Sequence, residues 1–519
     1  MDFCFEAGTR RRVDAENWMC VEWGTRRRAG RYLRTILAAM VVTVGMMSIS
    51  VARAATITVG TLEDRSGIDG CSLRDAITTA NGGVVGGSGC PSPTADPSNT
   101  INFSVVGTIA LNSTLPKIDG TLLITASPGS GGRIKIDGVK HYQVMIVNSG
   151  AVVRLRNLEI ENGAISLANI GNAAGIENDG TLTVTDSALY RNDVGFLGNR
   201  AGGIYNDAHA TLTVINSALV ENRGFLNGGG GILNKGTLRV SRSGFNKNES
   251  SSGGASGIMN RGGSATISDT SFIGNIGTGG VGGIRNLGDM AIVNSLFYRN
   301  NAFAAGGIEN DGTLTITNST FAENSTQRGA TDRFHSGGGG GILNSGTLTI
   351  TNSTFSRNRM ATGLEPDIGG GILNAAGSLR LKGTILAGAP STPNCAGKPI
   401  TDEGYNLVDD NSCMLKAVGS KNNTDAQLDP AGLARNGGPT DTIALQASSP
   451  ALDQIPPASC TYPAGSLNPC SDSLFNQLTC DQRGLQRPGD PTSSLCDIGA
   501  YERQSGPVHG RSTGPSAID

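Results

Sequence analysis

The chain is poor in aromatic residues, in helical patterning and, over its middle part, in cysteine. Phe, Trp and Tyr make up 4% of the 519 residues, and both tryptophans, Trp18 and Trp23, lie within the first 54. The remainder therefore lacks the side chain that most often stacks against sugars. No cysteine occurs between residues 164 and 388, and no Cys-x-x-Cys or Cys–His spacing supports a zinc site. Glycine is abundant instead, with 76 residues, which argues against helical repeats.

A repeat of variable length dominates the chain. Gly-Gly-Ile-x-Asn is followed by Thr-Leu-Thr-Ile-x-Asn-Ser-x-Phe-x-x-Asn, most clearly in Gly306–Asn324 and Gly340–Asn358. The copies start at residues 174, 202, 230, 256, 282, 306, 340 and 370. A repeat that stretches without losing its motif has a fixed strand part and a variable loop part, which is typical of a solenoid.

The strand part of each copy predicts the kind of solenoid. Polar and apolar residues alternate in Thr313–Thr317, which indicates a strand with one buried face. Coils of this length, made of short strands, fit the turns of a parallel β-helix stacked about 4.8 Å apart. Equivalent positions should then form ladders: buried ladders of isoleucine and phenylalanine, the latter starting with Leu189 and Leu219, and two asparagine ladders at turns. The first asparagine ladder comprises Asn178, Asn206, Asn234, Asn260, Asn286, Asn310, Asn344 and Asn374, and the second comprises Asn192, Asn222, Asn248, Asn275, Asn300, Asn324 and Asn358.

The first 54 residues are typical of a signal peptide with a long leader. Several arginines precede an apolar stretch from Thr35 to Val51, and Ala52-Arg53-Ala54 supplies the small residues of a cleavage site. We predict cleavage after Ala54 and export, to the outside, the surface or the periplasm of a bacterial cell. A membrane anchor is the alternative, but the apolar stretch is short for a span. No span is expected in the mature chain.

Net charge and cysteine content indicate which classes of partner and which cellular compartment the protein has. Removing the leader leaves 32 basic and 38 acidic residues without basic blocks, which argues against nucleic acid or anionic lipid as a partner. We expect a monomer whose partner is an extracellular polysaccharide or another cell surface. The eight remaining cysteines flank the repeats and predict disulfides, for which local pairing of 71–90, 395–413, 460–470 and 480–496 is the expectation. They are Cys71, Cys90, Cys395, Cys413, Cys460, Cys470, Cys480 and Cys496.

The chain divides into five regions. We predict a signal peptide over residues 1–54, an N-terminal cap and first turns over 55–163, and β-helix repeats over 164–388. A C-terminal region follows over 389–502, and the Gly-, Ser- and Pro-rich tail over 503–519 is typical of disorder. The one convincing helix covers Cys71–Asn81, where Ser72 and Asp75 form a capping-box pattern and one stripe is apolar. It would close the open end of the solenoid.

Motifs at both ends resemble those of a known group. Cys71–Ile77 (CSLRDAI) resembles the CSLREA-type motif of bacterial exported β-helix proteins. Gly404–Val408, Asn436–Thr440, Ser449–Asp453, Asp481–Gly484 and Cys496–Glu502 are similar to the choice-of-anchor Q domain, and the central repeats resemble those of chlamydial polymorphic outer-membrane proteins. The resemblance implies an all-β, right-handed parallel β-helix with a short N-terminal capping helix, a disulfide-containing C-terminal cap and a role in adhesion. Nothing after Glu502 resembles an anchor or an autotransporter barrel.

Two places are candidates for chemistry. The longest insertions, Ser325–Gly339 and Arg359–Gly369, would leave consecutive turns at one corner, where neighbouring long loops often carry function. They would bring together a candidate catalytic cluster of Asp332, His335, Glu365 and Asp367, for which an ordinary solvated histidine is the alternative. Glu177, Asp179 and Asp207 are candidate ligands for a cation such as Ca²⁺. Acidic residues next to glycine are first of all turn formers, and the sequence favours that interpretation; no other cofactor is expected.

The outward positions of the repeat predict a neutral surface. The residue before the second asparagine ladder alternates in sign along the rod, as in Arg191, Glu221 and Lys247, so neighbouring turns should neutralise one another. A Thr-x-Thr ladder runs along the strands, but Arg239, Ala265 and Ala291 should interrupt it, which argues against an ice-binding face. We therefore expect a non-catalytic adhesion or scaffold module. The alternative is a polysaccharide lyase or glycoside hydrolase that acts from an outer face or from the loop cluster.

Overall fold

The computed structural model describes residues 56–504, apart from residues 68–69, 88, 92–97, 128–132, 166–170, 327–337, 361–368, 390–391, 461–478 and 490–492. The predicted cleavage site at Ala54 and Cys470 lie outside the described residues. Short strands are the main regular structure of the described chain, which also contains one short α-helix, α1 (Leu73–Ala80), and one 3-10 helix (Pro457–Ser459).

The strands are bounded as follows. The first turns contain β1 (Thr56–Val59), β2 (Ser98–Phe103), β3 (Thr108–Ala110), β4 (Thr121–Thr125), β5 (Ile134–Asp137), β6 (Met145–Val147), β7 (Val152–Arg156) and β8 (Leu158–Glu161). The repeats contain β9 (Ile176–Asn178), β10 (Thr181–Thr185), β11 (Ala188–Tyr190), β12 (Ile204–Asn206), β13 (Thr211–Ile215), β14 (Ala218–Val220), β15 (Arg223–Gly224), β16 (Ile232–Asn234), β17 (Thr237–Ser241), β18 (Gly244–Asn246), β19 (Glu249–Ser250), β20 (Ile258–Asn260), β21 (Ser264–Ser268), β22 (Ser271–Ile273), β23 (Ile276–Gly277), β24 (Ile284–Asn286), β25 (Asp289–Val293), β26 (Leu296–Tyr298), β27 (Asn301–Ala302), β28 (Ile308–Asn310), β29 (Thr313–Thr317), β30 (Thr320–Ala322), β31 (Ser325–Thr326), β32 (Ile342–Asn344), β33 (Thr347–Thr351), β34 (Thr354–Ser356), β35 (Arg359–Met360), β36 (Ile372–Asn374), β37 (Ser378–Lys382) and β38 (Ile385–Ala387). The C-terminal region contains β39 (Cys395–Gly397), β40 (Thr401–Asp402), β41 (Leu407–Val408), β42 (Leu428–Ala434), β43 (Thr442–Leu445), β44 (Thr479–Cys480) and β45 (Gln486–Arg487).

These strands form a parallel β-helix, as predicted. Sheet A has 13 strands from β1 to β40, sheet B has 12 from β3 to β41, sheet C has 10 from β6 to β39, and sheet D has six from β15 to β35. Six consecutive turns of the repeat contribute one strand to each sheet in the order A, B, D and C, and neighbouring turns pair in parallel and in register. One more turn, made of β39, β40 and β41, follows Gly388. Among the described residues, no helix is long and apolar enough to cross a membrane.

The predicted apolar ladders fill the coil. Isoleucines of sheet C pair in register from Ile176 to Ile372 and are fully buried. The phenylalanine ladder begins after Leu219 and stacks ring on ring from Phe245 to Phe355, with centroids 4.6–4.8 Å apart. Such stacking is dictated by the in-register pairing, because the same ring recurs at each turn.

Both predicted asparagine ladders are also confirmed. Each side-chain amide in the first ladder donates to the side-chain oxygen of the next, from Asn178 to Asn374, at 2.7–2.8 Å. The second ladder does the same from Asn192 to Asn358, and its amides also bond backbone carbonyls of the preceding turn. These residues are at most 1% exposed, so the ladders satisfy polar groups that lie inside the rod.

One prediction about the Thr-x-Thr ladder is wrong. Ala265 pairs with Leu238 and Met290 on the inner face of sheet A and lies in the core. The outer position of that turn is instead held by Thr266, opposite Arg239. The pair Gly262-Gly263 puts one extra residue between Asn260 and strand β21, so this strand begins one residue later than in most copies, and a shift of one exchanges the two faces.

Caps close both ends of the coil. Helix α1 packs Leu73, Ala76 and Ile77 into the same core as the first strands, and Ser72 accepts a hydrogen bond from the Asp75 backbone amide. The pairs Cys71–Cys90 and Cys395–Cys413 are bonded as predicted. The predicted pairs 460–470 and 480–496 are wrong, since Cys460 bonds Cys496, and Cys480 is disulfide-bonded as well. Local pairing fails there because the chain folds back, with β-bridge contact between Ile455 and Cys496.

The C-terminal region lies along the side of the rod. Gln482 contacts two neighbouring turns, through the hydroxyl of Thr320 at 2.6 Å and the carbonyl of Ser295 at 3.4 Å. The backbone amide of Ala500 bonds the Thr354 hydroxyl at 3.0 Å. Four buried charges hold this region together in the ion pairs Arg483–Asp481 (2.6 Å) and Arg487–Glu502 (3.0 Å). Two of the motifs that resemble the choice-of-anchor Q domain, Asp481–Gly484 and Cys496–Glu502, therefore contribute to this side-docked region.

Candidate functional site

The residues where the two long insertions start and end lie side by side. Strands β31 and β35, which precede them, pair with each other, and so do strands β32 and β36, which follow them. The insertions thus leave and rejoin consecutive turns, as the sequence predicts. The four candidate catalytic side chains on them, Asp332, His335, Glu365 and Asp367, lie outside the described residues, so the cluster stays a prediction.

The three candidate cation ligands lie on two neighbouring turns but have separate partners. Glu177 accepts hydrogen bonds from the backbone and side-chain amides of Asn172, at 3.0 and 2.6 Å, and Asp207 accepts one from the Tyr205 hydroxyl at 2.9 Å. Burial, followed by repulsion from Glu177 and Asp207, raises the pKa of Asp179. Within the described parts of the chain, no group of three Asp, Glu, His or Cys residues is arranged to hold a metal ion. The calcium site therefore stays a prediction too.

A cluster that the sequence analysis missed lies on the outer face of sheet B, at its N-terminal end. Ile136 of β5 and Ile160 of β8 point into the core, so the residues on either side of them point outward. In-register pairing then places Lys135 opposite Glu159, and Asp137 opposite Glu161. The signal was present in the sequence as Lys-Ile-Asp and Glu-Ile-Glu, but it is visible only once these two segments are stacked.

The cluster couples two carboxyl groups to one lysine. The Lys135 Nζ lies 2.9 Å from the Glu159 carboxylate and 3.6 Å from that of Glu161. The lysine side chain is 42% exposed, whereas those of Glu159 and Glu161 are 18% and 11% exposed. Burial, and then a hydrogen bond with Glu159, raises the pKa of Glu161. The hydrogen bond to Glu159 raises the pKa of Lys135, which keeps that cation charged.

This arrangement is capable of acid–base chemistry. A carboxyl group whose pKa is raised keeps a proton that it can donate more readily than a free glutamate does, and a neighbouring carboxylate can accept one. Lys135 can neutralise an anionic substituent of a substrate. Glu159 and Glu161 lie on one strand, on either side of Ile160, and both face Lys135. The cluster thus places two proton-transfer groups beside one cation.

The alternating charges further along sheet B are paired, as the sequence predicts. Arg191 lies 2.7 Å from Glu221 of the next turn, and Arg299 lies 2.8 Å from Glu323. All four residues adopt positive φ angles of 52–54°, at the corner that follows each sheet B strand. The side chains are exposed or half-buried, so solvent screens these pairs and they contribute little to stability.

Comparisons with known proteins give little beyond the fold. No family model matches the chain, and no curated protein matches it. Among solved structures, the chain is similar to the crystal structure of pectate lyase Pel9A, with a TM-score of 0.41 and 13% sequence identity. That alignment covers 87% of this chain and 98% of the lyase chain.

Proposed function

We propose that this protein is an exported β-helix that acts outside the cell as a non-catalytic adhesion or scaffold module. The observation that carries the proposal is the position of the repeat's constant residues in the fold. Its isoleucine, phenylalanine and asparagine positions are buried in ladders, and its outward charges pair between neighbouring turns. The repeat is therefore devoted to building a long, regular surface, which suits binding along a length rather than chemistry at a point.

The disulfides support an extracellular location. All seven described cysteines are disulfide-bonded, and the bonds lie in the caps and the side-docked region. Such bonds persist in oxidising compartments and are rare in the cytosol. Together with the basic and apolar leader, they favour export as part of the proposal.

Binding without turnover is the expected result. Residues 55–519 would be displayed on beads and tested for retention by bacterial and host cell surfaces and by a panel of neutral and uronic-acid polysaccharides. Beads carrying protein reduced and alkylated after unfolding are the control. Retention without release of reducing ends or unsaturated products would support the proposal. Turnover of any polysaccharide, or no retention by any surface, would contradict it.

The cluster of Lys135, Glu159 and Glu161 favours a second candidate, a polysaccharide lyase acting on uronic acids. Lys135 would neutralise the uronate carboxylate, and the carboxyl pair would move the proton. Polygalacturonate and alginate would be incubated with the protein, with and without Ca²⁺, and unsaturated products measured by ultraviolet absorbance. Product formation that Glu161→Gln abolishes, and that Glu249→Gln at an exposed site preserves, would establish this function. Absence of product in all arms would leave the adhesion proposal alone.

A further inference from the structure

One side-chain arrangement occurs twice on the outer face of sheet B. Strand β11 ends at Tyr190 and strand β26 ends at Tyr298, and each tyrosine is followed by an arginine and an asparagine. In each copy the arginine guanidinium lies over the tyrosine ring, 4.4 Å from the ring centroid in one and 4.7 Å in the other. Both arginines are in turn held by a glutamate of the next turn. Each tyrosine ring is thus held on the surface by an arginine that is itself fixed by a glutamate.

The two tyrosines lie in one straight column. In-register pairing joins Tyr190 to Val220, Asn246, Ile273 and Tyr298 in that order. Four steps of about 4.8 Å place the two rings about 19 Å apart along the rod axis. The three residues between them are uncharged, and both rings are half-buried, so each ring presents part of its surface to solvent.

The column is bounded at both ends. At the N-terminal end, Glu161 pairs with Tyr190, so the acidic cluster lies directly beside the first ring. At the other end, Ala322 follows Tyr298 in the column and is only 3% exposed. Ala322 lies on the same strand as Thr320, whose hydroxyl bonds Gln482 of the C-terminal region. The accessible part of the column therefore runs between the two tyrosines and the acidic cluster.

We propose that Tyr190 and Tyr298 are two stacking subsites for a single neutral polysaccharide chain that lies along sheet B, parallel to the rod. Fixed aromatic rings offer flat apolar faces to sugar rings, and the surrounding carboxylate and amide groups can bond hydroxyl groups. The ligand is neutral because Arg191 and Arg299 are already neutralised by their glutamates, and the three residues between the two rings carry no charge. This inference rests on the proposed adhesion function and names its ligand class.

The spacing makes the proposal testable by chain length. Neutral glucan oligosaccharides of increasing length would be titrated against residues 55–519 by calorimetry. Affinity should rise sharply once the oligosaccharide spans the roughly 19 Å between the rings, since the second contact then becomes intramolecular. Tyr190→Ala and Tyr298→Ala should each weaken binding of the long oligosaccharide about tenfold and remove the rise with length. Tyr190→Phe, which keeps the ring, should bind like the unmodified protein.

Other outcomes would overturn the inference. They are unchanged affinity in both alanine variants, a smooth length dependence without a rise, tighter binding of polygalacturonate than of glucan, or no binding of any glucan. Thr349→Ala, on the outer face of sheet A, controls for general effects of surface substitution. Retention of the unmodified protein by cell surfaces separates the two proposals. If retention survives while glucan binding is absent, the polysaccharide column is wrong and adhesion stands; if both are absent, the adhesion proposal fails.

Discussion

Glu309 is a buried carboxyl group whose environment disfavours its charge. It points outward from strand β28 of sheet C, and its side chain is only 6% exposed. Burial raises its pKa to about 7, although Arg285 lies 3.3 Å away and partly offsets the effect. The same arginine is shared with Asp311 at 3.2 Å, so one cation serves two acids. Glu309 is therefore only partly neutralised by Arg285 and keeps its proton more readily than a free glutamate does.

Stability should fall as pH rises through the range set by Glu309. Below pH 4.5 the group is protonated in both states; between pH 4.5 and 7 the folded protein holds the proton that the unfolded chain has released. The folded state then binds more protons, so the free energy of unfolding decreases with pH, by up to about 3 kcal/mol in total. Thermal unfolding followed by circular dichroism between pH 4 and 8 would measure the change.

A matched pair of variants isolates this group. Glu309→Gln cannot ionise, so its unfolding temperature should vary less between pH 4.5 and 7 than that of the unmodified protein. Glu249→Gln, at a half-exposed glutamate, should retain the full pH dependence. Identical pH profiles for the unmodified protein and Glu309→Gln would show that the glutamate is ionised throughout.

At the scale of elements, hydrogen-bonded ladders fix the strands more completely than the sequence suggested. Besides the two asparagine ladders, a third ladder of buried hydroxyls runs from Ser187 through Ser217 to Ser353 at the corner between sheets A and B. Each serine hydroxyl in it donates to a carbonyl of its own turn and accepts a hydrogen bond from a backbone amide of the preceding turn. The serine of the repeat was visible in the sequence, but its inward direction depends on the corner's positive φ at the preceding residue.

The side-docked region was the element that sequence patterns could not place. Periodicity predicts which strands stack, because every turn repeats the last, but it says nothing of a segment that returns along the side. The contacts of Gln482 with the rod span more than 160 residues of sequence, and the Cys460–Cys496 bond reflects the same fold-back. Local pairing of cysteines was the wrong expectation for that reason.

Gln482 should hold this region against the rod. Its side chain bonds the hydroxyls of Thr320 and Thr440, at 2.6 and 2.9 Å, and is fully buried. Gln482→Ala would leave those groups without their partner and cost about 1–3 kcal/mol. Hydrogen exchange should then speed up across residues 479–504 while the amides of strands β10 to β22 keep their protection. Gln486→Ala, at an exposed position, is the control; equal exchange in both variants would contradict this role.

At the scale of the whole molecule, the fold could be predicted and the candidate site could not, for one physical reason. A solenoid is built from contacts between neighbouring turns, so a repeated sequence specifies its own stacking. The cluster of Lys135, Glu159 and Glu161 lies in early turns that lack the full repeat motif, and it forms only because their strands are in register. Its members are ordinary residues in sequence, and their proximity is a property of the stack.

Removing one complete turn should therefore shorten the rod without unfolding it. Gly229 and Ala255 occupy equivalent positions, so deletion of residues 229–254 joins strands that the repeat makes interchangeable. Asn222 would then meet Asn275, and Leu219 would meet Phe272, so both ladders continue. Circular dichroism should show a folded β protein with a modestly lower unfolding temperature. Deletion of residues 229–241, about half a turn, should prevent folding because it puts the faces out of phase.

The same deletion tests the polysaccharide column at the level of the whole rod. It removes one of the four steps between Tyr190 and Tyr298 and brings the rings to about 14 Å. The oligosaccharide length at which affinity rises should then shorten by about the span of one turn, while the affinity of the shortest oligosaccharides stays the same. A folded deletion variant with an unchanged length threshold would show that the two tyrosines do not bind one chain. A length threshold that shortens with the number of turns would show that the spacing of the two tyrosines determines which oligosaccharides bind both rings.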